Sequence, residues 1–281
     1  MGMRTRSAMI KDFFTYVALI LITYIMLIPL FAMFGTAFKE RTQAMASTSM
    51  FPAWGEWSIE SFVTVIQRTT FMQSIINSIL VSLTVTFFCI IIASMAGYAL
   101  SRFRGTVFSS YAVLLLILQM FPAMLLLLPL FIIFQSFGLT NSLWSLVISY
   151  TTLNLAFSIW MLKGFFDTIP QELELAAMVD GCTRFGAWIR IVMPISLPGI
   201  GTVSIFTFIN SWNEFTLASI FLRRDELFTM TLGLQRFVQQ FGADWPLLMA
   251  ASVIGSAPTI IFLLFAQKLL IQGMTAGAVK G

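Results

Sequence analysis

The chain has 281 residues and a net charge of +4; 58% of its residues are hydrophobic and only 10% are charged. Soluble domains carry about 25% charged residues, so this composition excludes an ordinary water-soluble fold. The chain has no histidine, which removes the commonest metal ligand and general base. It also has no Gly-Lys dipeptide that could belong to a phosphate-binding P-loop. The sequence therefore argues against an enzyme.

Long charge-free intervals indicate membrane helices, and the longest covers 58 residues between Arg104 and Lys163. A bilayer core of about 30 Å needs ~20 apolar residues in a helix, so this interval must turn, at its polar stretch 135–142. The apolar runs are too long for barrel strands, and we predict an all-α integral membrane protein with a single transmembrane domain, residues 1–281. Its six predicted spans cover residues 13–37, 74–100, 107–134, 143–163, 191–219 and 248–270.

The basic residues predict how these spans are oriented. With the N-terminus inside, ten of the 16 Lys and Arg residues fall on the cytoplasmic side. The other six lie in the long outer loops 39–73 and 220–247, where the positive-inside rule is weak. Both termini are then cytoplasmic, and the first apolar run is an uncleaved helix rather than a signal peptide. Topology explains the positive charge, which gives no case for nucleic-acid binding.

The third predicted span contains two prolines, Pro122 and Pro129. Each removes a backbone donor and can bend the helix, which would suit a cavity-lining helix that moves. Proline is also simply more frequent in membrane helices than in soluble ones. We favour the second interpretation, in which this span is an ordinary one.

The longest cytoplasmic loop, residues 164–190, predicts a short helix. Pro170 suits a first helical turn, Glu172 and Glu174 follow where the helix dipole favours negative charge, and Gly181 permits a left-handed ending. Such a helix either docks into a groove of a soluble partner or lies on the membrane surface, although its acidic first half counts against the surface. The small apolar face expected for docking comprises Leu173, Ala176, Ala177 and Asp180.

This loop resembles the hallmark of the membrane subunits of binding-protein-dependent ABC importers. Their motif runs Glu-Ala-Ala, three residues, Gly, nine residues, Ile, one residue and Leu-Pro, and the register is kept here from Ala176-Ala177 through Gly181 and Ile191 to Pro194. Leu175 stands where the family has Glu, with Glu174 one residue earlier, and Met193 replaces the Leu before the proline.

Three further stretches are similar to carbohydrate importers, above all to the smaller permease subunit of maltose-type systems: residues 119–122, 212–215 and 273–281. The resemblance implies the type I ABC importer fold in a prokaryotic cell membrane. It also implies that this chain binds no cofactor, and that ATP and Mg²⁺ are bound by partner subunits. The expected partners are a second homologous permease subunit, a dimer of ABC ATPase subunits, an extracytoplasmic sugar-binding protein and membrane lipid.

Glu214 is the acidic residue that falls inside an otherwise apolar predicted span, beside Trp212 and Asn213. A carboxylate in hydrocarbon costs roughly 2.5–3.5 kcal/mol, so it should face the bundle interior or water. Either this group lines the solute path, with the indole of Trp212 stacking on a sugar ring, or Glu214 makes an interhelical hydrogen bond beneath an interfacial tryptophan.

The resemblance assigns three sets of site residues. ATPase docking is expected for Glu174, Ala176, Ala177, Asp180, Gly181, Ile191 and Pro194. The translocation path is expected at Gln119, Asn210, Trp212, Asn213 and Glu214. Contact with the binding protein is expected at Arg223, Arg224, Gln235 and Gln239. The alternatives are an ABC permease for a non-sugar solute, an autonomous secondary transporter or channel, and a membrane scaffold that transports nothing.

Overall fold

The computed structural model describes residues 6–46, 49–240 and 244–278, with side chains for 11–44, 49–122, 124–238 and 244–266. Every regular element in these ranges is helical. In chain order the α-helices are α1 (Arg6–Ala37), α2 (Arg41–Ala46), α3 (Glu60–Arg68), α4 (Phe71–Arg102), α5 (Thr106–Met120), α6 (Leu127–Ser136), α7 (Leu143–Asp167), α8 (Glu172–Val179), α9 (Arg184–Ala187), α10 (Met193–Ile195), α11 (Leu197–Asn213), α12 (Thr216–Phe221), α13 (Met230–Gln240) and α14 (Trp245–Ala278).

The candidate membrane spans confirm the all-α membrane class. Four single helices are long and apolar enough to cross a bilayer: Lys11–Ala37, Phe71–Arg102, Leu143–Asp167 and Trp245–Ala266. Two bent helix pairs raise the number to six if each pair is one span: Thr106–Met120 with Met124–Ser136, and Arg184–Ile195 with Leu197–Asn213.

The third predicted span is broken rather than continuous, and a role for its two prolines in motion stays a prediction. Its two halves meet at about 90°. Phe121, directly before Pro122, is extended with φ −77° and ψ 126°, because a proline ring disfavours helical backbone in the residue before it. Pro129 lies inside α6 without a break.

The fifth predicted span also differs from a single helix over 191–219. A 74° bend separates Arg184–Ile195 from α11, at Ser196, which lies between Pro194 and Pro198 and has φ −86° and ψ 5°. These two prolines lack the N–H groups that a continuous helix would use. The helix also ends at Asn213, and Glu214 is extended with φ −69° and ψ 129°.

Contacts divide the chain into two compact units, Met1–Thr69 with Arg236–Ile254 and Thr70–Gln235 with Gly255–Gly281. In the first unit the backbone N–H of Ser58 donates to the carbonyl of Phe38 at 2.8 Å, and the Phe38 ring lies against Trp57 and Phe62. No residue in the most apolar window of α1 is buried. The single domain over residues 1–281 stays a prediction.

The second unit is built on close packing of α4 against α7. The buried residues of α4 include several small ones, which let helix backbones approach each other in a membrane. A Cβ atom added at Gly97 would lie 3.1 Å from both the carbonyl oxygen of Ile159 and the backbone nitrogen of Lys163. The other small residues buried on α4 include Ser78, Ser82, Cys89 and Ala93. Helix α11 packs on both α4 and α7, so these three helices form the framework of the second unit.

Candidate functional site

The loop between α7 and α10 contains the predicted short helix. Helix α8 begins at Glu172, directly after Pro170 and Gln171, and it ends before Gly181, which has φ +90°. At this ending the backbone N–H of Cys182 donates to the carbonyl of Ala177 at 2.9 Å, a bond typical of a left-handed helix cap. The predicted helix and its glycine ending are both confirmed.

The inner side of α8 is tied to α4 by Glu174, which is only 6% exposed. The Arg102 Nε donates to Glu174 Oε1 at 2.6 Å, and the Tyr98 hydroxyl donates to Glu174 Oε2 at 2.6 Å. We call these three side chains the Arg102 cluster. The Glu174 carboxylate is therefore buried and hydrogen-bonded within this chain. Its expected role in docking stays a prediction.

The outer side of α8 exposes three large apolar residues together with the carboxylates of Glu172 and Asp180. Leu173, Leu175 and Val179 are 45%, 54% and 88% exposed, and we call these three residues the outer face of α8. Ala177 points inward and is 9% exposed, so the exposed apolar side chains are larger than those of the expected small face. The remaining expected docking residues are distributed as follows: Ala176, Asp180, Gly181 and Pro194 are exposed and Ile191 is half-buried.

Glu214 lies at the junction of α11 and α12, not inside a membrane helix. Its carboxylate accepts hydrogen bonds from the Tyr150 hydroxyl at 2.6 Å and from the backbone N–H groups of Leu217 at 2.8 Å and Ala218 at 3.2 Å. These two N–H groups belong to the first turn of α12, where no intrahelical acceptor exists. Glu214 thus caps α12 and links it to α7, in agreement with the hydrogen-bonding interpretation.

The other expected path residues separate into buried and exposed ones. Trp212 is 1% exposed, and its indole stacks on Phe208 with ring centroids 5.7 Å apart, so in this structure it offers no face to a solute. Asn210 and Asn213 are exposed, one turn apart on α11. The Asn210 amide donates to Asn154 Oδ1 of α7 at 3.2 Å. Gln119 is exposed just before the break in the third span.

The segment after α12 is held at several points by polar side chains. Asn141 Oδ1 accepts from the backbone N–H groups of Arg223 at 2.9 Å and Arg224 at 3.1 Å. The Asn77 amide of α4 donates to the carbonyls of Glu226 at 2.8 Å and Phe228 at 3.0 Å. The exposed side chains of Arg223 and Arg224 are thus carried on a fixed backbone. Gln235 is exposed, and the Gln239 side chain lies outside the described residues.

Sequence reasoning missed Tyr98, Arg102, Asn77 and Asn141 as structural partners of the site. The only local signal was the position of Arg102 at the end of a 33-residue charge-free interval. Among the residues with described side chains, no group of His, Cys, Asp and Glu could hold a metal ion.

These features define a class: helical proteins that cross a membrane several times and present a short, internally tied helix in a loop. The chain belongs to the family described as "Binding-protein-dependent transport system inner membrane component", which it matches over residues 89–276. It is accordingly a multi-pass permease subunit of the inner membrane.

Curated relatives cover most of the chain. The sulfoquinovosyl glycerol transport system permease protein of Agrobacterium fabrum is 39% identical over 205 residues, 73% of this chain and 72% of that protein. The diacetylchitobiose uptake system permease protein of Streptomyces coelicolor is 33% identical over 90% of this chain and 91% of that protein. The trehalose/maltose transport system permease protein of Thermococcus litoralis is 32% identical over 98% and 99%, respectively. The expected resemblance to maltose-type permeases is confirmed.

A solved structure has the same fold. A chain in the crystal structure of a bacterial ABC transporter, involved in import of the acidic polysaccharide alginate, superposes with a TM-score of 0.82. The alignment covers 95% of this chain and 99% of that one at 20% identity. The expected fold of an ABC importer permease is therefore confirmed.

Proposed function

We propose that this chain forms half of the translocation pathway of an ATP-driven importer for a sugar or short oligosaccharide. Family membership makes it a permease subunit, and the three relatives above are named for sugar-derived solutes. The observation that carries the proposal is the exposed pair Asn210 and Asn213 on helix α11, which has no charged residue. Polar groups at membrane depth face protein or water-filled cavities, and amides both donate to and accept from hydroxyl groups.

The outer face of α8 supports docking onto a separate ATP-binding cassette subunit. Three exposed apolar side chains on a short helix fit a hydrophobic groove. A helix lying among lipid headgroups would carry basic residues on its polar side, whereas the charged residues of α8 are Glu172 and Glu174. In this proposal ATP and Mg²⁺ bind to the cassette subunits and not to this chain.

The exposed surfaces of the chain support three further partners. A second, homologous permease subunit completes the path that Asn210 and Asn213 line. An extracytoplasmic sugar-binding protein contacts the outer segment that carries Arg223, Arg224 and Gln235. Lipid covers the apolar exterior of the spans, and both termini are cytoplasmic.

The experiment compares variants in a reconstituted importer, with uptake of the sugar carried by its binding protein and co-purification of the cassette subunits as readouts. We expect Val179→Asp to lower both by about tenfold or more, because an interface that loses 1.4 kcal/mol binds tenfold more weakly. Val179→Ile is the matched control and should retain both, since it keeps an apolar side chain at the same position. Asn213→Leu should lower uptake alone.

Two results would contradict the proposal. Full cassette binding and uptake in Val179→Asp would remove the docking assignment. Unchanged uptake in Asn213→Leu would remove Asn213 from the path.

A further inference from the structure

Arg102 joins three separate segments of the chain. It occupies the last position of α4, and its side chain is only 7% exposed. Besides the 2.6 Å bond to Glu174, its guanidinium donates to the carbonyl of Phe166 at 3.0 Å and to the carbonyl of Ile169 at 3.1 Å. One side chain therefore connects the end of α4, the end of α7 with the residues after it, and the inner side of α8.

Both carboxylate oxygens of Glu174 are occupied by donors from α4. Oε1 accepts from Arg102 and Oε2 accepts from the Tyr98 hydroxyl. The Tyr98 ring also packs edge-on against Phe166, with centroids 6.1 Å apart. A buried, paired charge cannot shift away from its partner without leaving that partner uncompensated, and the planar guanidinium fixes the direction of each bond.

We propose that Arg102 is a positioning residue that makes α8 move together with α4. This inference rests on the proposed docking of α8 onto a cassette subunit. The outer face of α8 receives the displacement of that subunit, and the Arg102 cluster passes it to α4. Because α4 packs along α7 and α11, the displacement reaches the helix that carries Asn210 and Asn213.

The test uses the complete importer and the variant Arg102→Lys, which keeps the positive charge. A lysine ammonium is a single point donor on a flexible stem, so it cannot serve Glu174 and two carbonyl oxygens in fixed directions. Arg104→Lys is the matched control, because Arg104 lies two residues further on and is exposed. The readouts are co-purified cassette subunit, stimulation of ATP hydrolysis by loaded binding protein, and sugar transported per ATP hydrolysed.

We expect Arg102→Lys to bind the cassette subunits normally while the stimulation and the sugar-to-ATP ratio fall about 5-fold or more, as for the loss of a typical coupling energy. Arg104→Lys should match the unmodified importer. Tyr98→Phe, which removes one donor and keeps the ring, should lower the ratio to an intermediate value. A merely structural role would reduce the yield of complex and leave the ratio per complex unchanged.

The outcomes separate this inference from the docking proposal. If the sugar-to-ATP ratio is unchanged in both Arg102→Lys and Tyr98→Phe, the proposed role of Arg102 is overturned. It is also overturned if Arg102→Lys fails to form the complex while Tyr98→Phe keeps an unchanged ratio. If Val179→Asp retains the cassette subunits, it is the docking proposal that fails, whatever the ratio in the Arg102 variant.

Discussion

Asn141 illustrates how a single residue fixes an outer segment. It is the non-glycine residue that the described backbone holds in the left-handed region, with φ 59°. Asparagine tolerates this conformation better than most residues because its short polar side chain can hydrogen-bond locally. Here Asn141 Oδ1 accepts from two backbone N–H groups, and its own N–H donates to the carbonyl of Phe221 at 2.9 Å.

We therefore expect Asn141→Ala to be more destabilising than Asn141→Gly. Both variants lose two hydrogen bonds, at about 1 kcal/mol each, and only alanine adds the cost of a left-handed backbone, roughly 1–2 kcal/mol. The measurement is the unfolding midpoint in detergent, with hydrogen exchange at Arg223 and Arg224. Their amides should exchange faster in both variants, and equal midpoints for alanine and glycine would contradict the backbone argument.

Glu174 and Leu175 show which structural features of single residues can be predicted from the sequence and which cannot. The motif register identified the helix and its ending, because glycine and proline positions report local backbone conformation. It did not reveal that Glu174 points inward, since its partner Arg102 lies 72 residues earlier. No periodicity within the loop encodes a contact of that separation.

The helix α4 depends on one close approach to α7, and a pair of glycines tests it. Gly97→Ala places a Cβ atom 3.1 Å from two backbone atoms of α7, so we expect a loss of about 1–3 kcal/mol in the free energy of unfolding. Gly164→Ala, in α7, meets no atom within 4 Å. It should be neutral or stabilising by up to about 1 kcal/mol, since alanine favours helix.

The measurement for the glycine pair is unfolding in mixed detergent micelles, with helicity as the signal. If both alanine variants shift the midpoint equally, close packing at Gly97 is not what holds α4 against α7.

At the scale of elements, the apolar intervals were predictable and the breaks were not. Helix length and bilayer thickness determine how many uncharged residues a span needs, and helices or bent pairs occupy all six predicted intervals. Whether Pro122 bends a membrane helix depends on tertiary contacts, so composition alone did not predict the break. At the break in the fifth interval the Glu214 carboxylate caps α12, and it also accepts a hydrogen bond from Tyr150 of a different helix.

The topology of the whole molecule is testable with its own cysteines. Cys89 is buried and Cys182 is half-buried near the end of α8. With both termini cytoplasmic, a membrane-impermeant maleimide should label Cys182 in inside-out vesicles only. Glu226→Cys, introduced together with Cys182→Ala, should be labelled in right-side-out vesicles only, because the Glu226 side chain is 69% exposed. Labelling of Cys182 in right-side-out vesicles would reverse the predicted orientation.

The 72-residue separation within the Arg102 cluster also has a consequence for biosynthesis. At ribosomal rates of about 5–20 residues per second, Glu174 emerges about 4 to 14 s after Arg102. During that interval α4 is already synthesised, while the arginine at its end has no carboxylate partner. The ion pair can close only after α7 has been made and its far end has returned beside α4. Formation of this pair therefore follows the synthesis of α8, and from that point the ends of α4 and α7 are held together.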